Sequence, residues 1–333
     1  MKSTQKLFLF AITLAAFAFP TVAGATVIEN VRPLIVTAGA DPNDPMYTGN
    51  PGDAYDGVAR LLISTSVGTF GCSASLIHET TLLTAAHCVD PSSFGAGATI
   101  NGITAQFLNF SNTVFTALNW IFHPTWNGAL FDGDDLGIIH LTGAVGGITP
   151  YTLYTGSGFG STGDVAGYGR SGTGATGDTL PFGTFRHGQN EFDATLLSNG
   201  AFAAGNNNSG IFLYDFDNGT AACNSIGAVG QPSSTGLGNN EVMIAGGDSG
   251  GGSFIGGQLA GVHSFGANIT QLDCAGGGLN SSFGEFGGDI RIAQEANLKF
   301  VRDNIPQQTV PEPGSLILLA SGLAFSLIRR RRE

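Results

Sequence analysis

The stretch AGGDSGGGSF, residues 245–254, decides how the rest of the chain is read. Its core, Gly247-Asp248-Ser249-Gly250-Gly251, fits G-x-S-x-G, the strand-to-helix turn that lifts a serine to the top of an α/β-hydrolase sheet. A serine alone is a weak nucleophile; it needs a base within reach and a third group to orient that base. In the turn-based arrangement the acid and the base both follow the serine. Here the only histidine after Ser249 is His263, with no Asp or Glu between them. The partners of Ser249 therefore have to be sought upstream.

The two ends of the chain read as signals rather than fold. Lys2 and Lys6, an apolar run from Leu7 to Phe19 and the small residues Ala23-Gly24-Ala25 make residues 1–25 a secretory signal peptide cut after Ala25. At the other end Val310-Pro311-Glu312-Pro313 precedes a short apolar stretch and Arg329 to Arg332, a late membrane segment with a basic stop. Six of the thirteen basic residues sit in these ends, against two of the twenty-five acidic ones, so the part between them is strongly acidic. It lacks the basic footprint that nucleic-acid binding needs. Four cysteines, Cys72, Cys88, Cys223 and Cys274, behind an export signal suggest two disulfides, with three connectivities open.

Residues 26–56 are polar and rich in Pro, Gly and Asp and read as an N-terminal extension. Short β-branched and aromatic runs then follow, each bounded by turn residues: VARLLIS (58–64), GCSASLI (71–77), TLLTAAHCV (81–89), ITAQFLNF (103–110), LNWIFH (118–123) and LGIIHL (136–141). After a glycine-rich crossover at 155–164 come VAGYG (165–169), FDATLL (192–197), IFLYDF (211–216), EVMIAG (241–246), GSFIGG (252–257) and LAGVHSF (259–265). Only RIAQEANLKFVRDNI (291–305) reads as helix, ended by Pro306. Many strands with almost no helix point to an all-β sandwich or barrel and against the turn-based reading of Ser249.

Upstream stand LTAAHC (83–88), with His87, then FHPTWN (122–127) and DDLGIIHL (134–141); VAGYGRSG (165–172) precedes GDSGG, and LAGVHSFG (259–266) and IRIAQEANLKFV (290–301) follow it. In this order the seven motifs closely resemble those of trypsin-like (chymotrypsin-fold) serine proteases over roughly residues 57–303. The resemblance implies an all-β fold of two six-stranded antiparallel Greek-key barrels, about 57–155 and 161–290, with the C-terminal helix at 291–305. It implies Ser249 as nucleophile, His87 as general base and Asp135 as the residue that orients it. Asp135 is chosen over Asp134 because the apolar run starts at Leu136. Gly247 and Ser249 would supply the oxyanion-hole N–H groups, and Ser264 would hydrogen-bond Asp135 and bind extended substrate through its backbone. Met243 would floor the primary pocket and Gly266 and Gly287 would wall it, which argues for an apolar side chain before the cleaved bond. A Cys72–Cys88 bridge belongs to the pattern; Cys223 has no family counterpart and is left to Cys274.

The implied activity is a secreted serine endopeptidase acting on protein or peptide substrates without a cofactor. A catalytically idle homologue that serves as a surface binding protein is the alternative. The chain departs from the family in one important respect. Trypsin-like zymogens are activated by cleavage before an I-V-G-G-like start, and the new amine pairs with the aspartate before the nucleophile, here Asp248; no such start appears near residues 40–58. A buried unpaired carboxylate is costly, so Arg60, Arg170, Arg186 or a different N-terminus is expected to serve Asp248. His78, His123, His140 and His187 read as structural, and His263 as a strand residue facing solvent. DFDNG (215–219) lacks the full calcium-loop frame, and no Cys/His spacing suggests zinc, so no metal site is assigned. The tail at 310–333 resembles the PEP-CTERM sorting signal of Gram-negative bacteria. That implies an exosortase-type processing enzyme, transient anchoring in the inner membrane, and a final place in the periplasm, on the outer surface or outside the cell.

Overall fold

The computed structural model describes residues 26–27, 35–269 and 272–306. The export signal at 1–25 and the sorting tail at 310–333 lie outside the described residues. No helix among the described residues is long and apolar enough to cross a membrane.

The first half is a closed six-stranded antiparallel barrel. Around it run Gly68–His78, Val58–Thr65, Ile100–Gln106, Val114–Phe122, Gly137–Leu141 and Thr81–Thr84, and the last pairs back with the first through Ser75↔Leu83 and Leu76↔Leu82. Alternation explains the closure. Leu61, Ile63, Cys72, Ala74, Leu76, Ile103, Ala105 and Ile139 point inward and are fully or almost fully buried. The strand Thr26–Val27 adds to Gly68–His78 at Phe70 and Gly71.

The second half is a six-stranded antiparallel sheet in the order Arg186–Glu191, Thr162–Gly167, Gly252–Ile255, Gln258–Ala267, Phe286–Arg291, Ile211–Asp215. It curls into a half-barrel. Its two edge strands are linked to neighbouring segments by isolated bridges, Gln189↔Glu241 and Ala194↔Leu213, rather than to each other. Two of these strands, Arg186–Glu191 and Phe286–Arg291, carry polar and glycine residues and escape a search for apolar runs.

Two further features add to the sequence reading. Residues 35–56 do not hang free: Ile35, Val36 and Tyr47 are buried, and Val36–Thr37 pairs with both Val242–Met243 and Gly172–Thr173. The closing helix is Glu295–Asp303, shorter than 291–305. Its start is displaced because Arg291 ends a strand and its guanidinium donates to the carbonyls of Gly156, Ser157, Asn207 and Ser209. The Gln294 side chain caps the helix by accepting from Asn297 N. Asn297 Nδ2 then donates to Gly133 O, and Phe300 meets His123 edge to face, which fastens the helix to the first barrel.

Candidate active site

His87 lies on a short 3₁₀ turn, Ala86–Cys88, directly after the strand Thr81–Thr84. Cys88 is bridged to Cys72 on the neighbouring strand, which pins that turn to the barrel wall. The second bridge is Cys223–Cys274. Asp135 sits just before the strand Gly137–Leu141, which pairs with Thr81–Thr84, so the sheet register brings the two residues together. Asp135 grips His87 twice: Oδ1 accepts from the His87 backbone N–H at 2.9 Å, and Oδ2 meets Nδ1 at 2.7 Å. Both side chains are buried. Asp134, its neighbour in sequence, instead accepts from Thr125 Oγ1.

The second half contributes a third contact. Ser264 Oγ donates to Asp135 Oδ2 at 2.6 Å. Ser264 falls at a register shift, where His263 faces Asp289 and Phe265 faces Gly288 and the residue between them has no partner. Such a bulge re-aims a side chain out of the ladder.

The loop 245–251 lies against the first barrel. Ser73 N donates to Ser249 O at 2.8 Å, and Ser73 Oγ donates to Gly247 O at 3.1 Å. Gly250 adopts φ +84°, and a Cβ there would fall 2.1 Å from Thr84 Oγ1, so both its conformation and its contact require glycine. Among the described residues neither the Gly247 nor the Ser249 N–H finds an acceptor in the protein, although buried backbone donors are almost always paired. His87 Nε2 is likewise buried without a partner, so the His87–Ser249 hydrogen bond is open in this structure. Such bonds are commonly loose before substrate binds.

The residues expected to form a primary pocket separate into two groups. Met243 is fully buried, and its Cε lies 3.5 Å from where a Cβ on Gly266 would be, so Met243 bounds the space beside Gly266. Gly287 pairs with Gly266 across the sheet, but the Tyr214 ring occupies its own open side. Val36 pairs with Met243 and supports it from below. Cys72 Sγ, Cys88 Sγ and a ring nitrogen of His87 come within 4.8 Å of one another. Both sulfurs are spent in a disulfide and offer no thiolate to a metal.

The family model described as Trypsin matches residues 48–225, more than half of the chain. The chain belongs to the trypsin family. The matched span includes His87 and Asp135 and ends before Ser249. The PEP-CTERM protein-sorting motif matches residues 309–332, so this trypsin-family chain carries a sorting signal of the type used for export and membrane-anchored sorting in Gram-negative bacteria. Among solved structures it is similar to neuropsin, a serine protease expressed in the limbic system of mouse brain, at 16% identity and a TM-score of 0.47, covering 74% of this chain and 95% of that one. It is also similar to HL collagenase, at 17% identity and a TM-score of 0.48, covering 77% of this chain and 96% of that one. No curated protein matches the chain.

Several residues at the site escaped the sequence reading. His263 does not face solvent; it is fully buried with Nδ1 2.9 Å from Asp289 Oδ1. The arginines expected near Asp248 are elsewhere. Arg60 bonds Gln106, Arg170 pairs with Asp178, and Arg186 donates to Pro42 O, Phe185 O and Asn43 Oδ1. A lone histidine in the apolar run LAGVHSF and a lone aspartate in FGGDIR were the available signals, since each is costly to bury alone.

Proposed function

We propose that this protein is an exported serine endopeptidase. Ser249 attacks the substrate carbonyl carbon. His87 takes the Ser249 proton at Nε2 and returns it to the leaving amine, while Asp135 holds the tautomer and stabilises the imidazolium. The Gly247 and Ser249 N–H groups receive the oxyanion, each donor being worth about 3 kcal/mol in the transition state. The observation that carries the reading is the pair of free N–H donors on the Ser249 turn beside a histidine gripped twice by Asp135. Met243 and Gly266 favour an apolar side chain before the cleaved bond. The protease unit spans residues 57–305, between an export signal at 1–25 and a tail at 310–333 that an exosortase-type enzyme processes. The enzyme then works in the periplasm, on the outer surface or outside the cell.

A fluorophosphonate probe tests this. The wild-type protein is expected to be labelled and Ser249→Ala not, with turnover reduced about a millionfold in the variant. Absence of labelling in correctly processed wild-type protein would overturn the proposal in favour of an idle homologue.

A further inference from the structure

Asp248, directly before Ser249, is fully buried. Its Oδ1 accepts from Gly169 N at 2.6 Å and its Oδ2 from Ala245 N at 2.9 Å. The seat is tight, because a Cβ on Gly167 or on Gly169 would fall 2.3 Å from a carboxylate oxygen. Among the described residues no lysine or arginine forms an ion pair with Asp248. The backbone supplies hydrogen bonds but no counter-charge.

His263 stands directly beneath the same loop. Gly250 N donates to His263 O at 2.8 Å, and His263 N donates to Gly251 O at 2.9 Å. The ring edge, at Cδ2, lies 2.8 Å from where a Cβ on Gly251 would be. Nδ1 meets Asp289 Oδ1 at 2.9 Å, and Asp289 also accepts from Tyr214 Oη at 2.9 Å and from Ser253 Oγ. Facing a carboxylate, Nδ1 must carry a proton. Nε2 is buried and makes no hydrogen bond of ordinary geometry among the described residues, but the Ala166 carbonyl beside the ring favours its protonated form.

The charges decide the state of this ring. Asp289 comes from the strand Phe286–Arg291, Tyr214 from Ile211–Asp215, Ser253 from Gly252–Ile255, and Asp248 from the nucleophile loop. Only Asp289 and Asp248 carry charge, and both are fully buried. Two enclosed carboxylates without a cation would be strongly destabilising. Burial pushes the imidazole toward its neutral form, but the charge and hydrogen bond of Asp289, then the charge of Asp248, outweigh it and raise its pKa overall. Burial lifts Asp248 to about 6, against the Ala245 amide, the His263 charge and the Gly169 amide, which hold it down. Each group thus favours the charged form of the other.

We propose that His263 is a positioning residue: carried on Asp289 as an imidazolium, it is the internal cation that neutralises Asp248 and holds the Gly247–Ser249 turn ready to bind the oxyanion, with no newly cut N-terminal amine. The proposal rests on the reading of the site as a serine protease.

The test uses the exported protein with and without an uncleavable N-terminal tag, together with His263→Gln and Asp289→Asn. Tagged and untagged wild type are expected to hydrolyse an apolar peptide substrate equally; activity that requires a free, newly cut N-terminus overturns the proposal. Both variants are expected to lose about 100-fold or more in kcat with KM little changed, the scale of losing an oxyanion donor. A folded His263→Gln that keeps wild-type kcat overturns it. Should the variants fail to fold, imidazole nitrogen NMR on Ser249→Ala decides: His263 protonated on both nitrogens at pH 7 is expected, and a neutral ring overturns the proposal. Failure of the protease reading is distinguishable, because wild type itself would then be inactive while the NMR result would stand.

Discussion

Gly169→Ala separates a seat for the nucleophile loop from a mere turn. Gly169 is not in the left-handed region, so the substitution adds a contact without backbone strain. The new Cβ would lie 2.3 Å from Asp248 Oδ2, 2.4 Å from Cγ and 2.6 Å from the backbone N of Asp248. Nothing flexible stands there to give way, because the backbone itself is one of the atoms struck. The carboxylate has to retreat by about 1 Å to reach ordinary contact, and a misplacement of that size near the chemistry costs about 100-fold. That corresponds to about 2.7 kcal/mol in the barrier. Overpacking should also lower folding stability by about 1–3 kcal/mol. The assay is the second-order rate of fluorophosphonate labelling, paired with kcat/KM on an apolar peptide and a thermal melt. Gly102→Ala is the control: no atom lies within 4 Å of its added Cβ, and labelling should be unchanged. A folded Gly169→Ala protein labelled at the wild-type rate would refute the argument that this glycine seats Asp248.

Replacing Cys223 and Cys274 by serine opens a link between residues 51 apart. Loop-closure entropy puts the loss at up to about 4 kcal/mol, measurable by urea denaturation, and an unchanged midpoint would contradict it. Gly266→Val should slow cleavage after Phe or Leu at least tenfold (mainly through KM) while sparing substrates with Ala, since the side chain grows toward Met243 Cε; equal slowing of all substrates would refute that pocket assignment. Burial, together with neighbouring carboxylates, raises Asp193 to about 8, Asp217 to about 9 and Glu241 to about 7. Their folded pKa values lie above the unfolded carboxylate range, so the stability they contribute is present below about pH 4 and is lost as pH rises through 7 to 9. The urea midpoint should therefore fall between pH 5 and pH 9, and fall less in Asp217→Asn; a flat profile in wild type would count against the buried acidic group.

The first barrel was legible because its strands are short apolar or alternating runs bounded by turn residues. VARLLIS announces one buried face and one more exposed face, LGIIHL is an apolar run buried on both faces, and their spacing leaves room only for short connections. The second sheet was less legible for a physical reason. Arg186–Glu191 and Phe286–Arg291 spend their inward positions on glycine and polar groups, because those positions face other side chains, as Gly188 faces Val242 and Gly287 faces Tyr214. A glycine that makes room for a neighbour looks, in sequence, like a glycine that makes a turn. The packing of residues 35–56 was not legible as such: three buried apolar groups, Ile35, Val36 and Tyr47, suffice to dock an extension whose overall composition is that of a loop.

The site divides in the same way. His87, Asp135 and Ser249 stand in motifs whose neighbours fix their local geometry, so each could be picked out before its partners were known. The environment of Asp248 could not, because the counter-charge proposed for it depends on register rather than on motif. His263 reaches Asp289 only because Gln258–Ala267 pairs with Phe286–Arg291 so that residue 263 lies opposite residue 289. The register shift that follows leaves Ser264 free to turn toward Asp135. Two adjacent residues of one strand thus bind two different carboxylates, His263 to Asp289 and Ser264 to Asp135. A substitution that removed the bulge would break both contacts together, whereas Ser264→Ala should loosen only the grip on Asp135 and leave the state of His263 unchanged by imidazole NMR. Coupled loss of the His263 signal in Ser264→Ala would show that the two halves of the site are not independently held.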